Sequence, residues 1–259
     1  MTDVNGVEIF YRTTGQGDPI LLVHGLGGDI RSWEFQEDAL AEHFTLILPD
    51  QRGHGHSGGP DANTVSTEDF ANDLATLLDK LNYDSLHVVG HSMGGMIAQQ
   101  FALDHPEYVE KLVLIDTAPR ITEATIDEVY SWREAEVEGG AEAYQEASIR
   151  STFPREFIQN NPNLIDYLMS RENLVNQEGV LAAGLGMASF DITDRLSEID
   201  AETLIIHGEE DAIMDLSLAK VMHEKIPDSH IITFPDCGHS PPVQCQDELN
   251  QIIIKFLSS

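Results

Sequence analysis

The chain has 259 residues, of which 41% are hydrophobic and 7% aromatic, enough to bury the core of one large α/β domain. It carries 45 acidic against 14 basic residues, which gives a formal net charge of -31 at pH 7. Nucleic acids and anionic membrane surfaces are therefore excluded as partners, because the summed field of the protein repels polyanions.

Seven short apolar runs follow one another along the chain. They are continuous and rich in Val, Ile and Leu, which is typical of strands that helices cover on both faces. The predicted strands lie at residues 7–12, 20–25, 45–50, 86–91, 112–116, 203–208 and 231–234.

Amphipathic helices are predicted between or after these strands. Residues 68–81 place Phe70, Leu74 and Leu78 on one helical stripe, a second helix ends at Pro106, and a third covers residues 247–257. Strand, helix and strand in succession predict an α/β fold with a mostly parallel, doubly wound sheet.

The alternation of strands and helices stops between residues 119 and 195. This segment has helical stretches with scattered aromatic residues and no convincing strand. We expect residues 119–195 to form a helical cap over the carboxyl edge of the sheet, and residues 1–118 with 196–259 to form the core domain. A set of ordinary peripheral helices is the alternative, although so long a connection rarely lacks a structure of its own.

The stretch GHSMGG, residues 90–95, joins a predicted strand to a predicted helix. The pattern G-x-S-x-G in this context is that of a nucleophile elbow, in which Gly90 and Gly94 permit a sharp turn that exposes the Ser92 hydroxyl. The backbone N–H of Met93 begins the helix at the positive end of its dipole, so it is predicted to stabilise an oxyanion.

His91 precedes Ser92 directly, yet it is not predicted to be the base. Adjacent residues on a strand or tight turn project in different directions. We expect His91 to pack or form hydrogen bonds near the turn, and the base to arrive on another loop, about 3 Å from the Ser92 hydroxyl.

Five motifs together resemble those of the α/β-hydrolase family over essentially the whole chain. They are HGLGG (24–28), DQRGHGHS (50–57), GHSMGG (90–95), HGEEDAIM (207–214) and CGHSPP (237–242). The family orders its triad as serine, acid and histidine along the chain. The resemblance therefore implies Ser92 as nucleophile, Asp211 as acid and His239 as base, with Glu210 and Asp116 as alternatives for the acid.

The resemblance also implies where the substrate binds. The family takes its two oxyanion donors from the residue after the nucleophile and from the loop after the His-Gly strand, here the N–H groups of Met93 and Leu26. A substrate pocket is expected at Gly25, Trp33, Trp132 and Met187. Core packing is the alternative for the two tryptophans.

A serine paired with a histidine beside an oxyanion hole predicts hydrolysis of a carboxylic ester or lactone through an acyl-enzyme, with no metal and no cofactor. Residues 177–199 loosely resemble small carboxylesterases and 3-oxoadipate enol-lactonases. Enol-lactonases, cofactor-free haloperoxidases or perhydrolases, and carbon-carbon bond hydrolases share the triad and stay open as alternatives. A non-catalytic ligand-binding relative is the least favoured, because all three triad members are present.

The remaining predictions concern the surroundings of the protein. No signal peptide or membrane span is apparent, so we expect a cytoplasmic protein, a monomer or small homo-oligomer, with Cys237 and Cys245 as reduced thiols. The charge predicts a halophilic, salt-loaded cytoplasm, since near 1 M salt the Debye length falls to about 3 Å and self-repulsion is screened. An ordinary acidic mesophilic protein is the alternative.

Overall fold

A computed structural model describes residues 1–60, 62–172 and 174–259 of the chain. The strands of the described part lie, in chain order, at β1 Thr2–Val4, β2 Val7–Ile9, β3 Tyr11–Gly15, β4 Asp18–Val23, β5 Phe44–Pro49, β6 Leu86–His91, β7 Val109–Ile115, β8 Glu202–Gly208 and β9 Ser229–Phe234. The helices lie at α1 Glu34–Ala41, α2 Thr67–Leu81, α3 Met93–Asp104, α4 Glu123–Thr152, α5 Arg155–Asn160, α6 Pro162–Ser170, α7 Gln177–Met187, α8 Leu216–Lys225, α9 Pro241–Gln244 and α10 Gln246–Leu257.

Seven of the strands form one sheet in the order β3-β5-β4-β6-β7-β8-β9. β3 pairs antiparallel with β5, and every other neighbouring pair in this sheet is parallel. The predicted α/β fold with a mostly parallel, doubly wound sheet is therefore confirmed.

Alternate residues of each central strand supply two separate cores. In β4, Leu21 and Val23 join the buried cluster that includes Phe70 of α2 and Ile97 of α3. Ile20 and Leu22 point to the other face, where the cluster includes Leu40 of α1 and Leu249 of α10. Because both faces are covered, these strands appear in the sequence as continuous apolar runs and not as alternating ones.

The N-terminal region differs from the prediction of a single strand at residues 7–12. β1 and β2 form a two-stranded antiparallel sheet of their own, and β3 follows separately. Asn5 (φ 50°) and Gly6 (φ 81°) make the turn between β1 and β2. Asn-Gly is a strong hairpin signal, since both residues of such a turn need positive φ.

Helix α2 begins and ends where local signals place it. Ser66 and Asp69 form a capping box at its start, and Asn82 in the left-handed region (φ 60°) follows its last residue. The predicted helix at residues 68–81 is thus confirmed. Its apolar stripe packs against the sheet.

Helices α4 to α7 lie between β7 and β8, in the segment predicted to be helical. α4 is kinked at Gly140, whose φ is 78°. The two ends of this helical insertion, residues 119–195, are held together by an isolated bridge between Arg120 and Asp191. Its treatment as a domain of its own stays a prediction.

Among the described residues, no helix is both long enough and apolar enough to cross a membrane.

Candidate active site

Ser92 occupies a strained turn between β6 and α3. Its backbone has φ 56° and ψ -123°, a conformation that non-glycine residues rarely adopt, and α3 begins at the next residue. The two glycines of the motif are required by close packing: a Cβ on Gly90 would overlap the backbone of Gly94, and a Cβ on Gly94 would overlap the carbonyl oxygen of Val23. The turn presents the Ser92 side chain at the carboxyl edge of the sheet.

The structure brings Ser92, His239 and Asp211 together. His239 Nε2 lies 2.8 Å from Ser92 Oγ, and His239 Nδ1 lies 2.7 Å from Asp211 Oδ2. Asp211 is carried by the loop after β8 and His239 by the loop after β9. Carboxyl ends of parallel strands meet at one edge of a sheet, which is why residues 147 positions apart come into contact.

The carboxylate of Asp211 is fixed by its own loop as well as by His239. Its Oδ1 accepts hydrogen bonds from the backbone N–H groups of Ile213 (2.8 Å) and Met214 (2.9 Å). Burial acts to raise the pKa of Asp211, but the charge and hydrogen bond of His239, with the Met214 N–H, outweigh it and lower the pKa. Asp211 is therefore held as a carboxylate that orients the imidazole.

The two alternative acids do not contact the histidine in the described structure. Glu210 is exposed. Asp116 is fully buried, accepts a hydrogen bond from Gly208 N–H (2.8 Å) and faces His207 Nδ1 at 3.6 Å. Burial, and secondly the nearby charge of Asp211, raise the pKa of Asp116 well above its usual range, which favours the protonated form relative to an ordinary aspartate.

His91 supports the base without contacting the nucleophile. Its Nε2–H donates to the backbone carbonyl of His239 at 3.0 Å, and the two rings lie 5.2 Å apart. Burial, and secondly the charge of His239, lower the pKa of His91 to about 3, so the ring is neutral near pH 7. His91 is the hydrogen-bonding neighbour that its position before the turn predicts.

The loop after β4, which carries Leu26, is fastened by buried polar residues. The ring of His24 bridges the Gly25 carbonyl (2.8 Å) and the Gln51 backbone N–H (3.0 Å). Asp50 accepts hydrogen bonds from the backbone N–H of Ile30 on one oxygen and from that of His56 on the other. The motifs at 24–28 and 50–57 thus lock each other in place.

The two predicted oxyanion donors both line the cavity above Ser92. Met93 is the first residue of α3, where the N–H has no partner within the helix. In the part of the chain that the structure describes, neither Leu26 N–H nor Met93 N–H donates a hydrogen bond to another protein group. Both groups are free to bind a developing negative charge.

A cavity of 150 Å³ lies over the triad, between the sheet edge and the helical insertion. Gly25, Trp132 and Met187 line it, as the sequence predicts. Trp33 does not: its indole is 1% exposed and belongs to the buried cluster on the opposite face of the sheet, with Leu22 and Leu249. The prediction for Trp33 is wrong, because the short turn Ile30–Trp33 directs this side chain into the core.

The sequence missed several residues of the insertion that line this cavity. They are Thr125, Val129, Ser148 and Thr152. No local motif marks them, since their place over Ser92 depends on how α4 packs against the sheet. Trp132 is held in the wall by a hydrogen bond from its Nε1–H to Ser151 Oγ (2.9 Å).

One group of potential metal ligands occurs among the described residues. Asp116, His207 and Asp211 bring one ligand atom each within 4.8 Å of one another. Asp211 is already bound by His239, and His207 Nε2 donates to the Met214 carbonyl at 2.9 Å. We therefore interpret the group as support for the acid of the triad.

Comparisons with known proteins establish the family of the chain. The model of the alpha/beta hydrolase fold family matches residues 18–244, and the chain belongs to that family. The chain is 29% identical over 255 residues to the "Putative carbamate hydrolase RutD" of Yersinia enterocolitica, covering 96% of this chain and 92% of that protein.

Two solved structures are similar over nearly the whole chain. A thermophilic esterase from Thermogutta terrifontis is 32% identical with a TM-score of 0.87, covering 97% of this chain and 93% of that one. The enol-lactonase from Burkholderia xenovorans LB400 is 25% identical with a TM-score of 0.90, covering 99% and 98%. The family and these relatives support a hydrolase.

Proposed function

We propose that the protein is a serine hydrolase that cleaves a carboxylic ester or lactone through an acyl-enzyme. The observation that carries the proposal is the position of His239, with one ring nitrogen 2.8 Å from Ser92 Oγ and the other 2.7 Å from the Asp211 carboxylate. This is the arrangement in which a histidine removes a proton from serine while an acid stabilises the resulting imidazolium.

In the first half of the reaction, His239 Nε2 takes the proton from Ser92 Oγ as the oxygen attacks the substrate carbonyl carbon. The carbonyl oxygen becomes an oxyanion, and the N–H groups of Leu26 and Met93 donate hydrogen bonds to it. As the tetrahedral intermediate collapses, the bond to the leaving oxygen breaks and His239 returns the proton to that oxygen. The products are the alcohol and an ester of Ser92.

In the second half, water replaces the alcohol. His239 removes a proton from water as it attacks the acyl-enzyme, and the proton then passes to Ser92 Oγ when the acid leaves. Asp211 keeps the imidazole in the required tautomer throughout, since its Oδ2 accepts the Nδ1–H. A lactone follows the same steps and gives a single hydroxy-acid product.

The charges around the cavity favour a neutral substrate over an anionic one. Two grooves adjoin the cavity, one between α4 and α7 and one beside Ser240. Among the described residues, the lysines and arginines that line the cavity or these grooves are Arg31, Arg133 and Arg171. They pair with Asp29, Glu136 and Glu34, respectively. A substrate carboxylate would have to compete with these acids, which argues against the enol-lactonase alternative.

Steady-state hydrolysis of p-nitrophenyl butyrate, measured in molar KCl, tests the proposal. Ser92→Ala and His239→Ala should each lower kcat by roughly 10⁴- to 10⁶-fold, because the members of a triad act as a unit. His230→Ala, an exposed histidine on β9, is the matched control and should keep wild-type activity. Turnover that persists in both Ser92→Ala and His239→Ala would rule the mechanism out.

A further inference from the structure

A groove of 110 Å³ runs between α4 and α7 on the outer side of the catalytic cavity. Apart from Met187, the α7 wall and Ala188 just after the helix consist of residues spaced three or four apart, which places them on one helical stripe: Gln177, Val180, Leu181, Gly184, Leu185 and Ala188. The facing stripe of α4 comprises Thr125, Ile126, Val129, Tyr130 and Arg133. The groove thus follows the two helices.

The groove adjoins the catalytic cavity through shared walls. Leu26, Ile121, Thr125, Val129 and Met187 line both spaces. Leu26 is also the residue whose N–H is proposed to bind the oxyanion. A substituent on the reacting carbonyl carbon would therefore need to pass only these side chains to enter the groove.

The groove is apolar although it opens to solvent. Tyr130, Leu181 and Leu185 are 52%, 49% and 43% exposed, and they are half of the six large hydrophobic side chains that are exposed among the described residues. These three side chains lie together on a protein whose net charge is -31, and their exposure to water is unfavourable. Contiguous exposed apolar residues of this kind mark a binding surface.

Gly184 keeps the middle of the groove open. A Cβ built on this residue meets nothing within 4 Å. Glycine inside a helix destabilises it by about 0.5–1 kcal/mol relative to alanine, so this position carries a cost that packing does not explain. The space it leaves lies on the lining stripe of α7.

A second groove, of 280 Å³, borders the segment that carries His239. Its lining includes Ser240, His91 and Thr152. Ser240 follows His239, His91 packs against the His239 ring, and the Thr152 carbonyl accepts the His239 backbone N–H at 2.8 Å. Because His239 must protonate the leaving oxygen in the proposed reaction, a leaving group beside His239 would face this second groove, which would leave the first groove for the acyl substituent.

We infer that the groove between α4 and α7 binds the acyl chain of the substrate, and that the preferred substrates are esters or lactones of medium-chain fatty acids. The inference rests on the proposed function. From Met187 to Leu181, six residues along α7 rise about 9 Å, which accommodates an acyl chain of roughly six to eight carbons. Along this length the walls are apolar apart from the hydroxyl groups of Thr125 and Tyr130, and Arg133 and Gln177 lie on the two stripes farthest from the residues shared with the catalytic cavity.

Gly184→Phe fills the groove and tests the inference. Initial rates should be measured with p-nitrophenyl acetate, butyrate and octanoate, and with octyl acetate, in which the chain is on the alcohol. Gly184→Phe should lower kcat/KM for the octanoate by about tenfold or more, through lost burial of methylene groups, while acetate, butyrate and octyl acetate change less than about threefold. Ser189→Phe, exposed and outside the groove, is the matched control and should behave as wild type.

The outcomes separate the two proposals. If wild type turns over none of these esters, the proposed function is wrong and the acyl site falls with it. Only the acyl site is wrong if wild type is active and Gly184→Phe does not change the ratio of kcat/KM for the octanoate to kcat/KM for the butyrate. The same holds if Gly184→Phe lowers kcat/KM equally for all esters, or lowers it for octyl acetate instead. A change in elution volume on size-exclusion chromatography in Gly184→Phe, with unchanged ester preference, would mean that the groove is instead a contact between copies of the chain.

Discussion

The carboxyl edge of the sheet and the helical insertion line the same cavity, but they are built under different constraints. At the sheet edge, Ser92, Asp211 and His239 are held by short hydrogen bonds and by glycines that have no room for a side chain. In the insertion, the groove residues of α4 and α7 are mostly apolar, several of them are exposed, and open space borders Gly184.

The difference assigns a separate task to each region. In the proposed reaction, the sheet edge holds Ser92, His239 and Asp211 within hydrogen-bond distance of one another, which proton transfer requires. The insertion supplies shape and apolar contact, whose contributions change gradually as surface is added or removed. Substitutions at the sheet edge should therefore abolish activity almost completely, whereas substitutions in the insertion should change it gradually with the apolar surface added or removed.

After the Ser92→Ala and His239→Ala variants, the largest effect is expected for Asp211→Asn. An amide retains the shape of the carboxylate but neither stabilises the imidazolium nor enforces the tautomer, so kcat should fall by roughly 10⁴-fold while the fold is kept. Ester hydrolysis and circular dichroism of the same sample measure both. A loss of less than about tenfold in kcat would show that Asp211 is not the acid, and Asp116 would then be the candidate for that role.

A large loss of stability is expected for Gly94→Ala. The added Cβ would overlap the carbonyl oxygen of Val23, a backbone atom that cannot move aside without displacing β4. We expect destabilisation of about 3 kcal/mol or more, measured by urea unfolding. A free energy of unfolding within about 1 kcal/mol of that of wild type would show that the sheet edge can move to accept the methyl group.

Asp116→Asn should change the pH dependence of stability. The folded pKa of Asp116 is raised by burial, so above the unfolded value of about 3.9 the unfolded chain loses a proton that the folded chain retains. The free energy of unfolding of wild type should therefore fall, relative to the variant, as pH rises from about 4 toward neutral, with a slope of at most about 1.4 kcal/mol per pH unit.

Urea unfolding of wild type and Asp116→Asn at several pH values in molar KCl measures this difference. Asparagine tolerates the left-handed backbone at this position (φ 42°) and can still accept the Gly208 N–H, so the variant should fold. Parallel pH curves for the two proteins would show that Asp116 ionises normally in the folded state.

The smallest effect is expected for Gly184→Ala in the insertion. A methyl group meets no atom there, and alanine favours the helix, so the variant should gain about 0.5–1 kcal/mol of stability with hydrolysis of short esters unchanged. Urea unfolding provides the measurement. Destabilisation would mean that the groove has no free space for a methyl group at Gly184.

Much of the sheet and the triad could be predicted from the sequence, because their signals are local. Strands buried on both faces produce continuous apolar runs, and the elbow around Ser92 needs glycines at fixed spacing. Asp211 and His239 could be named because each follows a strand in a motif shared with the α/β-hydrolase family. The Asn5-Gly6 turn carried an equally local signal that the prediction of one strand at 7–12 overlooked.

The walls of the cavity could not be predicted in the same way. Trp33 lies three residues after Ile30, a spacing that puts both side chains on one side of the turn. That this side faces the core depends on packing against α10, which is far along the chain. In α7, Ala182 and Ala183 are buried whereas Leu181 and Leu185 are exposed, so apolar residues surround the helix. Periodicity alone does not show that Leu181 and Leu185 face α4.

Labelling with a fluorophosphonate tests most directly the proposed assignment of Ser92 as the nucleophile and His239 as its base. The protein is treated in molar KCl, and the adduct is located by mass spectrometry of the intact chain and its peptides. We predict one adduct per chain, on Ser92, and a labelling rate lowered by orders of magnitude in His239→Ala. An adduct on another residue, or labelling of Ser92→Ala at the wild-type rate, would contradict it.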